Sequence, residues 1–273
     1  MVSFPNCKIN LGLHILNKRE DGLHNIETVF YPVDLKDALE IIPAADSNTD
    51  IEFFSSGLPI DGSINDNICN KAYYLLKKDF PQLPNIKMHV IKAIPMGAGL
   101  GGGSADGAFT LQLLNSKFNL RLTINRLLQY AAQLGSDCPF FIINKPCFAT
   151  GRGEILEEIN VDLTGYKIVL INPAIHINTA WAFTQLTPAL TTKSIKQIIA
   201  QPINTWQKEL QNDFEIPVFK THPLIKNIKN GLYDNGAVYA AMSGSGSTVF
   251  GIFKHEIPAG IFKNENYFIK EIS

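Results

Sequence analysis

The hydrophobic and polar residues of the chain follow two different periods, which predict two kinds of element. Segments with an apolar residue at every second position, or apolar throughout, predict β-strands because successive side chains of a strand face opposite sides of a sheet. The predicted strands are residues 8–15, 27–33, 39–42, 51–54, 86–94, 140–143, 147–150, 166–171, 237–242, 247–253 and 267–272. The early part of the chain is therefore strand-rich.

Three other segments carry apolar residues three or four positions apart, which is the period of an amphipathic α-helix. The predicted helices are residues 67–80, 105–118 and 124–134. Asp66 or Asn67 can cap the first helix and Thr123 the third, since their short side chains accept hydrogen bonds from free N–H groups of the first turn. We expect Gly135 to end the third helix in a left-handed conformation, which glycine adopts without steric cost.

This order of elements predicts an α+β protein with two domains. Residues 1–158 form the predicted N-terminal domain and residues 159–273 the C-terminal domain. The apolar strand at 166–171 restarts the pattern after the boundary, and the following stretch to about residue 233 predicts mostly helices and loops. A chain of 273 residues has room for one large domain or two modest ones.

Composition and charge exclude several classes of partner. The chain has 24 Lys+Arg and 25 Asp+Glu residues and no basic block, so we expect neither a nucleic-acid partner nor binding to a membrane surface. No apolar run approaches the roughly 18 to 20 residues of a membrane span, which favours a cytoplasmic protein. The scattered cysteines predict free thiols rather than a metal site or disulfides. They are Cys7, Cys69, Cys138 and Cys147.

The strongest candidate for chemistry is the segment PMGAGLGGGSA, between a predicted strand and a predicted helix. Five of the seven residues from Gly97 to Gly103 are glycine. Glycines let backbone N–H groups converge on an anion, and the N-terminus of the following helix adds its positive dipole end. We therefore predict a nucleotide phosphate site. Its residues are Pro95, Met96, Gly97, Ala98, Gly99, Leu100, Gly101, Gly102, Gly103, Ser104 and Ala105.

This glycine loop fits neither of two common phosphate motifs. A Walker loop needs a Lys followed by a hydroxyl residue, and no Lys occurs between Lys92 and Lys117. A GxGxxG pattern can be fitted at Gly97, Gly99 and Gly102, but that motif belongs in the first strand-to-helix turn with an acid about 20 positions later. The segment NSKFNLRL at that distance has no acid. A turn that merely joins a strand to a helix remains the alternative.

Three further segments gain meaning once a nucleotide phosphate is assumed. Asp137 is the single acid of LGSDCPFF, where a carboxylate could take a proton from a substrate hydroxyl, although a cap or turn residue is the alternative. Lys8 stands in the first strand and in isolation would be read as a surface lysine. The segment SGSGS at 243–247 predicts either a second loop of close backbone approach or a hairpin turn.

Taken in order, four segments resemble the motifs of the GHMP kinase superfamily. They are CKINLGLHILNKREDGLHNIETVF at 7–30, PMGAGLGGGSADGA at 95–108, LGSDCPFF at 134–141 and AMSGSGSTVFGIF at 241–253. Within the superfamily they resemble the branch that uses ATP to phosphorylate a cytidine diphosphate-linked methylerythritol on the non-mevalonate route to isoprenoid precursors. The resemblance implies a two-domain GHMP kinase fold, with an N-terminal domain like ribosomal protein S5 domain 2 and a ferredoxin-like C-terminal domain.

The resemblance also implies a role for individual residues. Lys8 and Asp137 match the catalytic pair, in which Asp137 accepts the proton of the substrate hydroxyl while Lys8 orients both groups and offsets developing negative charge. Asn67 matches a residue that contacts adenine. His24 would read the edge of the cytosine and Phe183 would stack on its face. The full set of positions around the cytidine and the erythritol is Asn10, His24, Thr179 and Phe183.

Two positions depart from the family pattern. The family commonly has an aromatic residue directly before the His24 position, whereas this chain has Leu23. The resemblance therefore implies that one face of the cytosine rests on an aliphatic side chain, with Phe30 nearby. In mevalonate-type relatives the loop reads GLGSSAA, and here Gly102 and Gly103 replace both serines. The resemblance therefore implies ATP and Mg²⁺ but names no protein ligand for the metal.

Two alternative functions remain open. One is a GHMP kinase for another small alcohol, such as homoserine or a mevalonate derivative, against which the DGLH segment and Phe183 favour a nucleotide base. The other is a nucleotide- or sugar-binding regulator without catalysis, against which both Lys8 and Asp137 are present. We expect a small-molecule substrate and a monomer or weak homodimer.

Overall fold

The structure is a computed structural model that describes residues 1–60, 62–63, 66–186, 193–258, 260 and 266–272. The strands are β1 (Val2–Ser3), β2 (Asn6–Lys18), β3 (His24–Lys36), β4 (Ala38–Pro43), β5 (Ile51–Gly57), β6 (Ile86–Lys92), β7 (Cys147–Thr150), β8 (Ile155–Glu158), β9 (Lys167–Asn172), β10 (Tyr239–Met242), β11 (Val249–Phe253) and β12 (Phe268–Ile272). The helices are α1 (Ile68–Asp79), α2 (Gly102–Lys117), α3 (Ile124–Leu134), α4 (Cys138–Ile143), α5 (Thr179–Thr184), α6 (Ile195–Ile199), α7 (Trp206–Glu209), α8 (Glu215–Thr221) and α9 (Pro223–Asp234). The predicted mixture of helices and strands is confirmed.

The chain forms two compact units that are each assembled from separate segments. The first unit comprises Met1–Cys7, Asp34–Met96 and Gly101–Lys145, and the second comprises Lys8–Val33, Gly97–Leu100 and Pro146–Ser273. These units interleave along the chain, whereas the predicted domains 1–158 and 159–273 are continuous. The domain boundary after residue 158 therefore stays a prediction.

The first unit contains a four-stranded sheet in the order β1-β4-β6-β5. Strand β4 is antiparallel to β1 and β6, while β5 is parallel to β6 and connects to it through α1. Along β6, Ile86, Met88 and Val90 are buried and alternate with more exposed residues. The period of two that predicted this strand therefore reflects a sheet with one buried face.

The helices of the first unit begin at the predicted caps. Oδ1 of Asn67 accepts a hydrogen bond from the N–H of Cys69 at 2.9 Å, and the Thr123 hydroxyl accepts one from the N–H of Arg126 at 3.3 Å. Gly135 ends α3, but its φ is 172°. That is extended backbone open to any residue, so the predicted left-handed conformation of Gly135 is wrong.

Residues 140–143, predicted as a strand, lie in the helix α4 instead. A short apolar run has no polar positions to reveal its period, so a buried strand and a buried helix look alike in the sequence. Pro139 decides the local structure, because its fixed φ suits the first turn of a helix and its missing N–H is not needed there. The strand β8, next to the turn at 151–153, was not predicted.

The second unit contains an antiparallel sheet in the order β10-β11-β9-β12. Numbered along the chain from β9, these strands have the order 2-3-1-4, which is ferredoxin-like topology and confirms the fold predicted for this half. A second sheet has the order β2-β3-β7-β8. Residues 6–15 of β2 are all buried, so the polar residues of this strand must find partners inside the protein.

Helices pack on these sheets to form the core. In the second unit the core includes Ile171, Val218, Ile228, Leu232 and Met242. The four cysteines are free and buried, as predicted. None of the described helices combines the length and the apolar content that a membrane crossing requires.

The close contact between α1 and α2 gives a testable prediction about stability. A Cβ added to Gly107 would lie 2.8 Å from Cγ1 of Ile68, which is too close. Gly107→Val should therefore lower the free energy of unfolding by about 1 to 3 kcal/mol, the usual cost of overpacking. Ile68→Ala removes the clashing atoms, so the double variant should lose less than the sum of the two single losses. Denaturant unfolding of all four proteins measures this, and simple additivity would contradict the contact.

Candidate active site

Lys8 lies on β2 and is buried, with 3% of its surface exposed. Its Nζ donates hydrogen bonds to Oδ1 of Asn10 at 2.7 Å and to the carbonyl of Gly99 at 3.2 Å. Nζ also lies 5.1 Å from the centroid of the Phe30 ring, within the range of a cation–π contact. The interpretation of Lys8 as an ordinary surface lysine is therefore wrong, and the second unit holds the ammonium in a defined position.

Asn10 and Ser243 build the surroundings of this ammonium. The amide of Asn10 donates to the hydroxyl of Thr28 at 3.0 Å, which orients Oδ1 toward Lys8. The backbone N–H of Asn10 donates to the Ser243 hydroxyl at 3.3 Å, and that hydroxyl donates to the Gly99 carbonyl at 2.9 Å. The second unit thus brings together strand β2, residues 97–100 of the glycine loop and the SGSGS segment. The predicted contact of Asn10 with a substrate stays a prediction.

The first half of the glycine loop, Gly97–Leu100, belongs to the second unit. Gly97 and Gly99 have φ values of 62° and 79°, in the left-handed region that favours glycine. A Cβ on Gly99 would overlap the carbonyl oxygen of Ser243. The SGSGS segment joins β10 to β11 as a hairpin turn and also approaches this loop closely, so both interpretations of that segment hold.

The second half, Gly101–Ala105, belongs to the first unit and begins α2. Gly101 is the N-cap with φ 71°, and α2 runs for 16 residues behind it. A Cβ on Gly103 would meet no atom within 4 Å, so the space beside this first turn is open. The backbone N–H groups of a first helical turn lack partners within the helix and bind anions well. This geometry supports the predicted phosphate site.

Asp137 lies between α3 and α4 in the first unit. It occupies the N-cap position of α4, but its side chain makes no capping hydrogen bond, and the Ser136 hydroxyl donates to its Oδ1 at 3.5 Å. The next residue, Cys138, is buried, and burial raises the pKa of its thiol to about 12 although the Ser104 hydroxyl bonds to it. This contact places the last part of the glycine loop next to the start of α4. A capping role for Asp137 is not what the structure shows.

Asn67, the predicted adenine contact, lies at the N-terminus of α1. Its Oδ1 caps the helix, which establishes a structural role. Pro95 and Met96 begin the glycine loop, and Met96 is 42% exposed. The contact of Asn67 with adenine stays a prediction.

The predicted substrate residues His24 and Phe183 lie together in the second unit. Their rings stack with centroids 4.8 Å apart and an angle of 12° between the planes. Phe214 contacts the Phe183 ring edge to face, at 4.9 Å and 82°. Burial, helped by the charge of Lys18, lowers the pKa of His24, which favours the neutral ring. The structure therefore brings these two residues together, with their rings stacked on one another. Their contact with a cytosine stays a prediction.

Thr179, the fourth predicted substrate residue, is the first residue of α5 in the second unit. Its hydroxyl lies 2.8 Å from that of Ser245, within the SGSGS segment. Leu23, which stands where the family commonly has an aromatic residue, is 46% exposed. Thr179 is thus linked to the same segment that contacts Gly99.

Comparisons with known proteins identify the family of this chain. Models of the GHMP kinases N terminal domain and the GHMP kinases C terminal region match residues 67–145 and 194–267. The 4-diphosphocytidyl-2-C-methyl-D-erythritol kinase of Bacteroides fragilis is 52% identical over 94% of this chain and 93% of that protein. The kinase of the same name from Azobacteroides pseudotrichonymphae is 50% identical over 96% of this chain and 97% of that protein. The chain belongs to the 4-diphosphocytidyl-2-C-methyl-D-erythritol kinase family.

A solved structure agrees with this identification. A crystal structure of 4-(cytidine 5'-diphospho)-2C-methyl-D-erythritol kinase is similar to this kinase with a TM-score of 0.79 and 28% sequence identity, over 92% of this chain and 90% of that one. The predicted family and the two-domain GHMP kinase fold are thereby confirmed. The family is one of small-molecule kinases, for which ATP is the co-substrate.

This kinase also contains a buried charged group that the sequence analysis missed. Nζ of Lys92 donates to Oδ2 of Asp106 at 2.8 Å and to the carboxylate of Asp37. The other oxygen of Asp37 accepts hydrogen bonds from the N–H groups of Ala93 and Ile94 at 2.6 and 2.9 Å. Lys92 ends β6 and Asp106 lies in the first turns of α2. The group therefore ties the helix behind the glycine loop to the sheet of the first unit.

The two carboxylates of this group compete for one ammonium. Burial raises the pKa of Asp106 to about 7. The negative charge of Asp37 also raises this pKa, and the positive charge of Lys92 lowers it. Burial also disfavours the charged form of Lys92, but the two carboxylates outweigh it, so the net shift of its pKa is upward. Single acids inside otherwise apolar helices, as in SADGA, are the signal that could have indicated this group.

The raised pKa of Asp106 predicts how stability depends on pH. The pKa of Asp106 is raised from its ordinary value of 3.8 to about 7 in the fold, so the folded protein binds this proton more tightly than the unfolded chain does. Its contribution to stability is therefore present at low pH and is lost as pH rises from about 4 to about 7. Asp106→Asn cannot titrate, so the melting temperature of the wild type should fall relative to that of the variant across this window. A constant difference between pH 4 and 8 would contradict the assignment.

Proposed function

We propose that this kinase transfers the γ-phosphoryl group of ATP to the 2-hydroxyl of 4-diphosphocytidyl-2-C-methyl-D-erythritol, on the non-mevalonate route to isoprenoid precursors. The observation that carries the proposal is the identity of 52% and 50%, over nearly the full chain, to kinases that bear this substrate in their name. The buried Lys8, the glycine loop and the His24–Phe183 pair support it.

In this proposal Asp137 and Lys8 carry the chemistry. Asp137 accepts the proton of the substrate hydroxyl, which makes the oxygen a better nucleophile. Lys8 stabilises the negative charge that spreads over the transferring group. Asn10 and Gly99, which help to hold its ammonium in position, are neutral acceptors. A fixed charge of this kind needs no reorganisation during the reaction.

The glycine loop, residues 95–105, is the proposed binding site for the ATP phosphates. Left-handed glycines at 97, 99 and 101 shape the backbone, and the open side of Gly103 leaves room for an anion. Asn67 is proposed to contact the adenine. We also propose that magnesium accompanies the phosphates. The described residues contain no group of three or more His, Cys, Asp or Glu that could hold a metal, so a closed protein cage does not fit and we assign no protein ligand.

The cytidine is proposed to bind at His24 and Phe183, with Asn10 and Thr179 nearer the erythritol. In the structure one face of Phe183 is covered by His24, so a base that stacks on that face requires His24 to move to its edge. At the edge, a neutral imidazole can both donate and accept hydrogen bonds. This aromatic pair favours a nucleotide base over homoserine or a mevalonate derivative.

We further propose that the kinase is cytoplasmic and works as a monomer or weak homodimer on small-molecule substrates. Its near-neutral charge, 24 basic against 25 acidic residues, supports the view that it has no nucleic-acid partner.

The proposed reaction is tested by measuring ADP release with purified kinase. The assay compares the cytidine diphosphate-linked methylerythritol with homoserine and mevalonate at equal concentrations. We expect turnover with the first substrate and little with the others. Equal or faster turnover of homoserine or mevalonate would overturn the substrate assignment while leaving the family intact.

Removing the proposed base should slow the reaction without abolishing ATP binding. Asp137→Asn is expected to lower kcat by roughly 10² to 10⁴, the usual contribution of a positioned general base. Lys8→Ala should also lower kcat, and the double variant should lose much less than the product of the two effects because the residues act as a unit. Steady-state kinetics of the four proteins measures this. Wild-type turnover by Asp137→Asn would return Asp137 to a structural role.

Variants at the proposed base site should separate the two nucleotides. Phe183→Ala removes the ring on which the cytosine is proposed to stack. Stacking of a base on an aromatic side chain contributes about 1 to 3 kcal/mol in nucleic-acid-binding proteins, so the KM for the cytidine substrate should rise. Leu23→Tyr adds a ring and should lower that KM. The KM for ATP should change little in either variant. An unchanged cytidine KM in Phe183→Ala would show that the base binds elsewhere.

A further inference from the structure

A four-residue segment, Asn212–Glu215, makes side-chain contacts with several parts of the second unit. It precedes and begins α8, and none of its residues was assigned a role above. Asn212, Phe214 and Glu215 are 1%, 2% and 8% exposed. Together the four side chains contact several parts of this unit, so we refer to these residues as the anchor segment.

Asn212 holds the main chain of the SGSGS segment. Its amide donates one hydrogen bond to the carbonyl of Met242 at 2.7 Å and another to the carbonyl of Gly244 at 2.8 Å. Its Oδ1 accepts from the N–H of Phe214 at 3.0 Å, which fixes the orientation of the amide. One buried amide thus binds both the last residue of β10 and the segment that contacts Gly99.

Glu215 holds the other side of Met242. Its Oε1 accepts from the N–H of Met242 at 2.8 Å, and its Oε2 accepts from Nζ of Lys229 at 2.5 Å. Strand β10 is an edge strand, so these side chains satisfy hydrogen-bonding groups that no neighbouring strand can reach. The unpaired backbone groups of an edge strand explain the contacts to Met242. Gly244 lies beyond the strand, so its contact with Asn212 needs another reason.

The contact at Gly244 fixes the segment against the glycine loop. A Cβ on Gly244 would lie 3.3 Å from the Cα of Gly99, and Ser243 donates to the Gly99 carbonyl at 2.9 Å. The same carbonyl accepts from Nζ of Lys8 at 3.2 Å. A shift of Gly244 would therefore move the Gly99 carbonyl and, with it, the ammonium of Lys8.

The other two residues face the substrate side and β2. The Phe214 ring contacts the Phe183 ring edge to face at 4.9 Å. Oδ2 of Asp213 accepts from the N–H of Ile15 on β2 at 2.7 Å. Adjacent residues of one segment therefore support the surroundings of Lys8 and the stacked pair of His24 and Phe183.

We infer that the anchor segment positions both halves of the reaction, with Asn212 serving the ATP side through Gly244 and Gly99, and Phe214 serving the cytidine side through Phe183. Neither residue touches a reacting atom, so both are positioning residues. The inference rests on the proposed function, because it assigns ATP to the glycine loop and the base to Phe183. It predicts that two neighbouring substitutions affect different substrates.

The first arm of the test is Asn212→Asp, which replaces the two donors with a carboxylate that faces two carbonyl oxygens. We expect kcat to fall, and the KM and the Kd for ATP each to rise roughly tenfold, because two hydrogen bonds are lost. The KM for the cytidine substrate should stay within about twofold. Asn212→Ser, which keeps one small donor, should lie between the wild type and Asn212→Asp and serves if the charged variant folds poorly.

The second arm is Phe214→Leu, which keeps an apolar side chain but removes the edge-to-face contact. We expect the KM for the cytidine substrate and the Kd for cytidine diphosphate to rise roughly three- to tenfold, the value of an aromatic pair. The Kd for ATP should not change.

Asn235→Asp is the matched control for Asn212→Asp, because the Asn235 amide also donates to a main-chain carbonyl, that of Gly231 in α9 at 2.8 Å.

The outcomes separate this inference from the proposed function. Opposite selectivity of Asn212→Asp and Phe214→Leu, with a silent Asn235→Asp, supports the inference. Equal effects of either variant on both nucleotides, or effects reproduced by Asn235→Asp, would overturn it and leave a structural role. If the wild-type protein does not turn over the cytidine substrate, the proposed function is wrong. The Kd values for ATP and cytidine diphosphate, measured by calorimetry, still decide the inference in that case.

Discussion

The arrangement in the second unit depends on the burial of one ammonium, that of Lys8. A buried charge is costly unless polar groups replace the water that it loses. Among the replacements are the amide oxygen of Asn10 and the carbonyl of Gly99. The side chain of Asn10 is itself held by the hydrogen bond that its amide donates to Thr28, and the Gly99 carbonyl also accepts one from Ser243. The requirement to solvate one charge therefore fixes the strand, the glycine loop and the SGSGS segment in relation to one another.

Local signals made some of this predictable from the sequence. The caps at Asn67 and Thr123 act within three residues, and glycine density marks a loop whatever surrounds it. The helix at 138–143 was missed because a short apolar run carries no period. Lys8 was placed at the surface when read in isolation, since nothing in its neighbourhood announces partners 91 positions away.

Most of the features that could not be predicted are side-chain contacts between residues that lie far apart in the sequence. Lys92 binds Asp106, 14 positions on, and Asp37, 55 positions back, so each charge looks like an ordinary surface residue in its own segment. Asn212 and Gly244 are 32 positions apart and are joined through a side-chain amide that has no pattern of its own. The family resemblance supplied candidate roles for the residues at motif positions. It was silent on the side chains that hold those motifs in place.

The glycines of the loop show why motif and packing cannot be separated in this protein. Gly99 is confined by its left-handed φ of 79° and by the carbonyl of Ser243. Gly102 has no such φ, yet a Cβ there would lie 2.8 Å from Cγ2 of Ile94 in the core. Gly103, by contrast, faces open space. Packing thus explains the first two glycines without any ligand, whereas it places no constraint on the third. The open space beside Gly103 is consistent with the proposed phosphate site, because an anion needs free access to the backbone N–H groups of this turn.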